Sequence, residues 1–328
     1  MEPFEFYQPL SIQDAVKFAG DKDSSFLAGG TELLNWMRIG IAAPKRVVDI
    51  TRVPGIDSIE ELHGHGLRVG ALAKLNDVAE HPDIVRDYPV LSQAILKAAS
   101  AQIRNLATIG ANPLQRVRCP YYRSDDDTPC NKRTPGSGCA ALNGFNDKHA
   151  IFGWTTSCVA VQPSDPAVAL AALDAFLLVY SATGMRRIPA TQFHVTPDVD
   201  PVAHTILKPG ELITGIELGP GWRKSAYLKI RERESYEYAT VSVAVALRLD
   251  ADNRTILAAR IALGSVAMKP WRLHATEQRL IGMAFDAPEV SAAVDEGFAE
   301  ARPLSRNGYK IKIARNATIR TINTAARA

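Results

Sequence analysis

Outside one stretch of forty residues, this 328-residue chain contains no cysteine. Its four cysteines, Cys119, Cys130, Cys139 and Cys158, all fall inside that stretch, so disulfides cannot staple the rest of the chain. No apolar run reaches the roughly 20 residues that a membrane-spanning helix needs. Met1 to Pro9 shows no basic segment followed by an apolar one, so no export signal of its own is expected. No long block of like charge occurs, and the net charge is only +3, which argues weakly against a nucleic-acid binder. Motifs for protein-based chemistry are missing too. There is no P-loop, no nucleophile elbow and no convincing acid–base pair, and none of the seven histidines has another four residues away. These absences shift the chemistry to bound groups that the chain holds and tunes.

What is present reads as an ordinary globular protein, with 46% apolar and 22% charged residues. The length allows two or three compact units. The first stretch has the character of small α/β units. Ser11 is placed to cap a helix over Ile12 to Phe18. Strands are expected at Ser25 to Ala28, Arg46 to Ile50, Ile56 to Leu62 and Gly66 to Leu72, the last two joined by a turn at His63-Gly64-His65-Gly66. Helices are expected from Glu32 to Met37 and from Val90 to Ser100, and a third from Pro166 to Leu173 capped by Ser164 or Asp165. Ala175 to Ser181 and Met185 to Pro189 pattern as a hairpin, and 195–209 as a connection. A boundary near Trp222 divides the chain into 1–221 and 222–328. Past it, Ser225 to Ile230, Thr240 to Leu249 and Ile256 to Leu263 alternate as antiparallel strands. Helices follow at Arg272 to Ile281, at Val290 to Ala301 and from Tyr309 onward, an α+β arrangement.

Four motifs stand out. In Leu27-Ala28-Gly29-Gly30-Thr31-Glu32-Leu33 a strand feeds a glycine pair, a hydroxyl and a helix, which suits close backbone approach to a phosphate. Many such junctions use Gly-Gly for turn geometry alone, so the alternative stays open. Thr108-Ile109-Gly110-Ala111-Asn112 suits a loop against a flat ligand, or a helix end followed by a turn. Ser164-Asp165 sits before Pro166, where a plain helix cap is the simpler use. The fourth is the cysteine set, spaced C-x10-C-x8-C-x18-C within a polar loop at about 113–160 that is too long to be passive. Its gaps lack the paired C-x2-C of most zinc ribbons, while Arg118, Arg123, Lys132 and Arg133 would offset the charge of a thiolate-bound cluster. On the residues alone, iron–sulfur leads, zinc follows and disulfides come last. His149 lies between two of the cysteines in sequence and is a candidate neighbour or substitute ligand.

Together these segments resemble the FAD-binding medium subunits of the molybdenum hydroxylases, the xanthine dehydrogenase and carbon monoxide dehydrogenase family. The resemblance covers nearly the whole chain. Ala28-Gly29-Gly30-Thr31-Glu32-Leu33 resembles the family's first pyrophosphate loop, A-G-G-T-D-L. Thr108-Ile109-Gly110-Ala111-Asn112 resembles its second, T-I-G-G-N, with Ala111 for the second glycine. Ser164-Asp165 resembles its S-D pair, whose Asp contacts flavin hydroxyls, and Lys229-Ile230-Arg231 resembles the strand opening the C-terminal domain, which brings Lys229 near the flavin. The long cysteine loop, from Arg118-Cys119-Pro120 through Cys130-Asn131-Lys132-Arg133 to Cys158, narrows the match. It is similar to the subclass of bacterial periplasmic aldehyde oxidoreductases, whose FAD subunit holds a 4Fe-4S cluster there; 4-hydroxybenzoyl-CoA reductase carries a related insertion.

The resemblance implies a two-subdomain, PCMH-like FAD-binding fold followed by an α+β domain of the CO dehydrogenase flavoprotein type. It implies FAD held by the two glycine loops and Arg118, with a 4Fe-4S cluster on the four cysteines as relay or structural clip. A large partner with a molybdenum cofactor would oxidise an aldehyde, a small partner with 2Fe-2S clusters would relay electrons, and this chain would hand them to an external acceptor. The compartment would be the periplasm by co-export with a signal-bearing partner, or the cytoplasm. Tyr238 either packs over the flavin ring or fills core space as a strand aromatic.

Overall fold

Residues 1–62, 66–124 and 126–328 are described by a computed structural model, in which twelve strands form three sheets. The first sheet is parallel. Its strands β1 (Glu5–Tyr7), β2 (Ser24–Leu27) and β3 (Arg46–Asp49) lie in the order β1-β3-β2. Helices at Ile12–Phe18 and Leu33–Arg38 make the crossovers. Ser11 caps the first, accepting a hydrogen bond from the Asp14 N–H at 3.0 Å. The carboxyl end of β2 opens into Ala28-Gly29-Gly30, the end of a parallel strand where ligands are generally bound.

The second sheet is antiparallel. It comprises β4 (Ile59–Leu62), β5 (Gly66–Gly70), β6 (Phe176–Ser181), β7 (Gly184–Pro189) and β8 (Leu212–Leu218), in the order β4-β5-β8-β6-β7. The expected hairpin at 175–189 is present, with Ser181 opposite Gly184. The expected strand at Ile56 begins only at Ile59, and the turn expected at His63–His65 lies outside the described residues, as does Asp125. β8 has no counterpart in the sequence reading. Gly215 interrupts its side-chain pattern, and it is buried along almost its whole length, so alternation is hidden. Its partners are far away in sequence: Gly70 pairs with Gly215 from one side and Leu178 from the other.

The third sheet is the antiparallel run β9 (Lys224–Ile230), β10 (Val241–Leu249), β11 (Ile256–Gly264) and β12 (Trp271–Arg272). Both of its faces are covered. Val243, Val245, Leu247, Ile261 and Leu263 face a core closed by the long C-terminal helix Tyr309–Arg327. Each such fully buried side chain stabilises by about 1.5–3 kcal/mol. Tyr227, Ala244 and Ala262 face the other way, into the core of the first unit. Small residues there let helix Asp165–Ala172 press on the sheet. A Cβ added at Gly264 would lie 2.5 Å from Val168 Cγ2. That helix is buried all round, as its uninterrupted run of Ala, Val and Leu requires. The helices expected at Arg272 to Ile281 and Val290 to Ala301 are shorter, His274–Arg279 and Val290–Glu296.

The long loop holds little regular structure beyond one helical turn at Pro120–Arg123 and short 3-10 turns. Polar side chains shape it instead. Asn131 donates to the Ser157 carbonyl at 2.8 Å and accepts from the N–H groups of Gly136 and Gly138. Asn146 and Asn307 tie it to the segment before the C-terminal helix, Asn146 accepting from the Arg306 N–H and Asn307 donating to the carbonyls of His149 and Ala150. Lys310, with no exposed surface, donates to the carbonyls of Lys148, His149 and Ser265.

Candidate functional site

The two glycine loops expected to act together lie against one another. Gly29 packs so tightly on the chain before the second loop that a Cβ there would sit 1.9 Å from the Leu106 carbonyl oxygen. Gly30 has φ +72°, open to glycine and strained for other residues. The second loop is anchored by Ile109 and Gly110, whose N–H groups donate to the carbonyls of Ala73 and Ala71 at 3.0 Å. A Cβ at Gly110 would lie 2.5 Å from that of Ala71, whereas the neighbouring Ala111 tolerates its methyl. Leu27 ends β2 and Leu33 begins the following helix, so both frame the first loop.

What the loops leave unpaired indicates their chemistry. Among the described residues, the N–H groups of Gly29, Gly30, Thr31, Glu32 and Ala111 donate to no protein acceptor. The Thr108 hydroxyl is buried, 1% exposed, and has no partner. Leaving such a group unmade costs about 1–3 kcal/mol, which a ligand with acceptor oxygens would offset. A concentration of donors in a tight backbone cradle fits the pyrophosphate of a dinucleotide.

The Ser164-Asp165 pair joins this cradle through side chains. Ser164 caps its helix by accepting from the Ala167 N–H at 3.0 Å and donates to Asn112 Oδ1 at 2.5 Å, which links it to the second loop. Gln162, which the sequence reading passed over, reinforces that link. It accepts from the Ser164 N–H at 2.6 Å and donates to the carbonyls of Pro113 and Gln115. Asp165 is buried, its Oδ1 accepting from the Tyr227 hydroxyl at 2.5 Å and its Oδ2 from Lys229 Nζ at 2.7 Å. Burial raises the Asp165 carboxyl above the usual range despite the Lys229 charge beside it. Lys229 also donates to the Lys97 carbonyl at 3.0 Å. Tyr227 gave no sequence signal, because it meets Asp165 across 62 residues of sequence, through the packing of the helix that Asp165 begins on β10 and β11 beside β9.

All four cysteines line one small cavity of about 10 Å³, with Tyr122 and Lys132 also in its wall. Cys130 and Cys139 face one another across an isolated antiparallel bridge, and all four are free thiols. Burial pushes the Cys119 thiol up to about 12, opposed by the backbone N–H groups of Tyr122 and Tyr121. It pushes Cys158 to about 11, opposed by the Ala160 N–H and the Lys132 ammonium. A metal bound here must displace these protons, and the same N–H groups and Lys132 would then stabilise the thiolates. Among the described residues, no three Cys, His, Asp or Glu side chains gather as tightly as a single ion requires. Four thiols around one space are the donor set a four-iron cubane would use, its thiolates binding different irons. His149 stands behind Cys119, its Nε2 at 3.3 Å from Sγ, and burial near Lys310 holds its imidazole down to about 4.

The two halves meet through stacked cations. Arg123 lies over the rings of Trp36 and Tyr238, at 4.7 and 5.3 Å. Trp36 belongs to the helix that follows the first glycine loop. The Arg123 charge partly offsets the burial that raises the Glu32 carboxyl. Arg118, next to Cys119, also lies over Tyr238, at 5.3 Å, and donates to the Ala239 carbonyl at 2.8 Å. Burial lowers its pKa, with Glu237 opposing. A line of contacts thus runs from Glu32 through Trp36, Arg123, Tyr238 and Arg118 to Cys119.

Comparison with known proteins agrees with this layout. Residues 2–220 match the family described as FAD binding domain in molybdopterin dehydrogenase, and residues 226–325 the family described as CO dehydrogenase flavoprotein C-terminal domain. The chain is 42% identical to the aldehyde oxidoreductase FAD-binding subunit PaoB of Escherichia coli, over 93% of this chain and 92% of the relative. It is 28% identical to the carbon monoxide dehydrogenase medium chain of Hydrogenophaga pseudoflava, over 98% and 96%. Among solved structures, carbon monoxide dehydrogenase from Hydrogenophaga pseudoflava superimposes with a TM-score of 0.76 at 27% identity, covering 99% of this chain and 97% of that one.

Proposed function

The chain belongs to the FAD-binding medium subunits of the molybdenum hydroxylases, and from that premise we propose that it is the electron-transfer subunit of a heterotrimeric aldehyde oxidoreductase. In this reading it carries both FAD and a 4Fe-4S cluster. A large partner with a molybdenum cofactor oxidises the aldehyde, a small partner with 2Fe-2S clusters passes on the electrons, and this chain delivers them to an external acceptor. The compartment follows the partner, the periplasm if that partner carries an export signal and the cytoplasm if it does not.

The observation that carries the flavin half is the orphaned Thr108 hydroxyl beside unpaired backbone donors in two abutting glycine loops. Gly29, Gly30, Thr31, Glu32 and Thr108 would hold the pyrophosphate. Asn112, Ser164 and Asp165 would orient the flavin's hydroxyl-bearing chain, with Lys229 and Tyr227 fixing the Asp165 carboxylate. Bound FAD supplies the ability to take electrons singly and release them as a pair. Tyr238, held between Arg118 and Arg123, would cover the ring system and limit access of acceptors.

For the cluster, the supporting observation is that four thiols widely spaced in sequence line one enclosed space. Its role is that of a clip. The loop has little regular structure, its buried Val117, Tyr122, Ala141 and Val159 form only a small cluster with Trp36 and Met37, and metal ligation would add the cross-links that fix it.

The complex, co-purified with its partners, should contain flavin and iron and reduce a dye in the presence of an aldehyde. A colourless preparation holding zinc instead would overturn the reading. If Tyr238→Ala left both flavin fluorescence and oxygen reactivity unchanged, the covering role of that ring would be discarded.

A further inference from the structure

We infer that His149 is a positioning residue for the cluster, donating a hydrogen bond from Nε2 to the sulfur of Cys119. The inference rests on the four cysteines binding a 4Fe-4S cluster. Its own basis is geometric. His149 is 2% exposed, and its Nε2 lies 3.3 Å from Cys119 Sγ. The ring does not line the cysteine cavity, so it approaches the sulfur from behind, outside the ligand set.

Its other nitrogen fixes the direction of the bond. His149 Nδ1 is buried with no partner. A neutral imidazole carries its proton on one nitrogen, and the other is an acceptor. If Nδ1 held the proton, a buried N–H would be orphaned while two lone pairs, on Nε2 and on sulfur, faced each other. With the proton on Nε2, the N–H meets a thiolate that can only accept. A cluster-bound Cys119 therefore selects this tautomer.

The backbone holds the ring in place. The His149 carbonyl accepts from Lys310 Nζ at 2.8 Å and from Asn307 Nδ2 at 3.2 Å. The next residue, Ala150, donates to the Val159 carbonyl at 2.9 Å, one residue beyond Cys158. The ring is thus clamped between two strips of loop that carry ligands and the C-terminal helix that holds them. An N–H donated to a ligand sulfur stabilises the more negative, reduced cluster and raises its potential.

The test is an EPR-monitored redox titration of the assembled complex, comparing wild type with His149→Leu and His149→Gln. His149→Leu is expected to lower the cluster's midpoint potential by about 59 mV, a tenfold change in a one-electron equilibrium. His149→Gln, which keeps an N–H donor, is expected to recover most of that shift. Equal potentials in all three would overturn the inference. Should His149→Leu take up no iron, wild-type complex labelled with [15N]histidine decides. A nitrogen coupling in the spectrum of the reduced cluster supports the bond, and its absence overturns it. A wild-type complex with no cluster at all would instead sink the reading on which the inference stands.

Discussion

The flavin cradle and the cysteine loop adjoin, yet they are built on opposite principles. The cradle hangs from regular structure: the end of β2, the ends of short helices and a helix buried on every side. Its geometry is set by backbone ladders and close glycine contacts, and it stands ready with unpaired donors. The loop has almost no ladder of its own. Single polar side chains hold it, Asn131 from within, and Asn307 and Lys310 from the C-terminal segment, around a small buried cluster that includes Val117, Tyr122, Ala141 and Val159. A site on rigid elements can be left open for its ligand, whereas a site in a loop needs its ligand, or many hydrogen bonds, to keep one shape.

The contrast can be broken at several points. Cys130→Ser should have the largest effect. The loop at 113–160 should become protease-sensitive and assembly with the partners should fail, while the cradle's sheets persist by circular dichroism. Normal assembly with loss of electron transfer alone would turn the cluster from clip to relay. Lys310→Met should come next, since it leaves the carbonyls of Ser265 and Lys148 unpaired at about 1–3 kcal/mol each and takes one of two donors from that of His149. Denaturant titration across pH adds a sign. Burial holds the Lys310 ammonium down to about 7, below its ordinary 10.5. Between those values the unfolded chain binds the extra proton, so wild-type stability should rise with pH relative to the variant from 7 to 10.5, and run parallel to it below 7.

Lys229→Met tests the cradle side. It strands the buried Asp165 carboxyl and should cost about 3–5 kcal/mol in thermal or chemical unfolding, with part regained in the Asp165→Asn/Lys229→Met double variant. Thr108→Val should be the gentlest. The fold loses no bond, because the hydroxyl makes none in the protein, while flavin affinity by fluorescence titration should fall about tenfold, the worth of one hydrogen bond of roughly 1–1.5 kcal/mol. A Thr108→Val chain that binds flavin as wild type does would remove Thr108 from the cradle.

Legibility in the sequence followed the same divide. Gly29-Gly30, Thr108 to Asn112 and Ser164-Asp165 announce themselves through glycine, cap and hydroxyl chemistry, and the structure brings all three together. The cysteines announce themselves by clustering, and they share one cavity. Residues that act across long separations gave no signal. Tyr227 reaches Asp165 only because the buried helix packs on β10 and β11, next to β9, and Gln162 matters only because Pro113 and Gln115 come to meet it. β8 was invisible because Gly215 and two-sided burial erase its period. Asn307 and Lys310 look like ordinary polar residues of a C-terminal helix region until their partners, 157 to 161 residues away, are known.

The central claim is that one chain holds a flavin and a four-iron cluster side by side. Metal, sulfide and flavin content measures it directly, in the anaerobically purified wild-type complex and in this chain purified from each of the four single Cys→Ser variants. About four irons and four sulfides beyond the partners' own should accompany one FAD in wild type, and each variant should lose that iron and sulfide. A single zinc per chain, or iron content unchanged by all four substitutions, would contradict it.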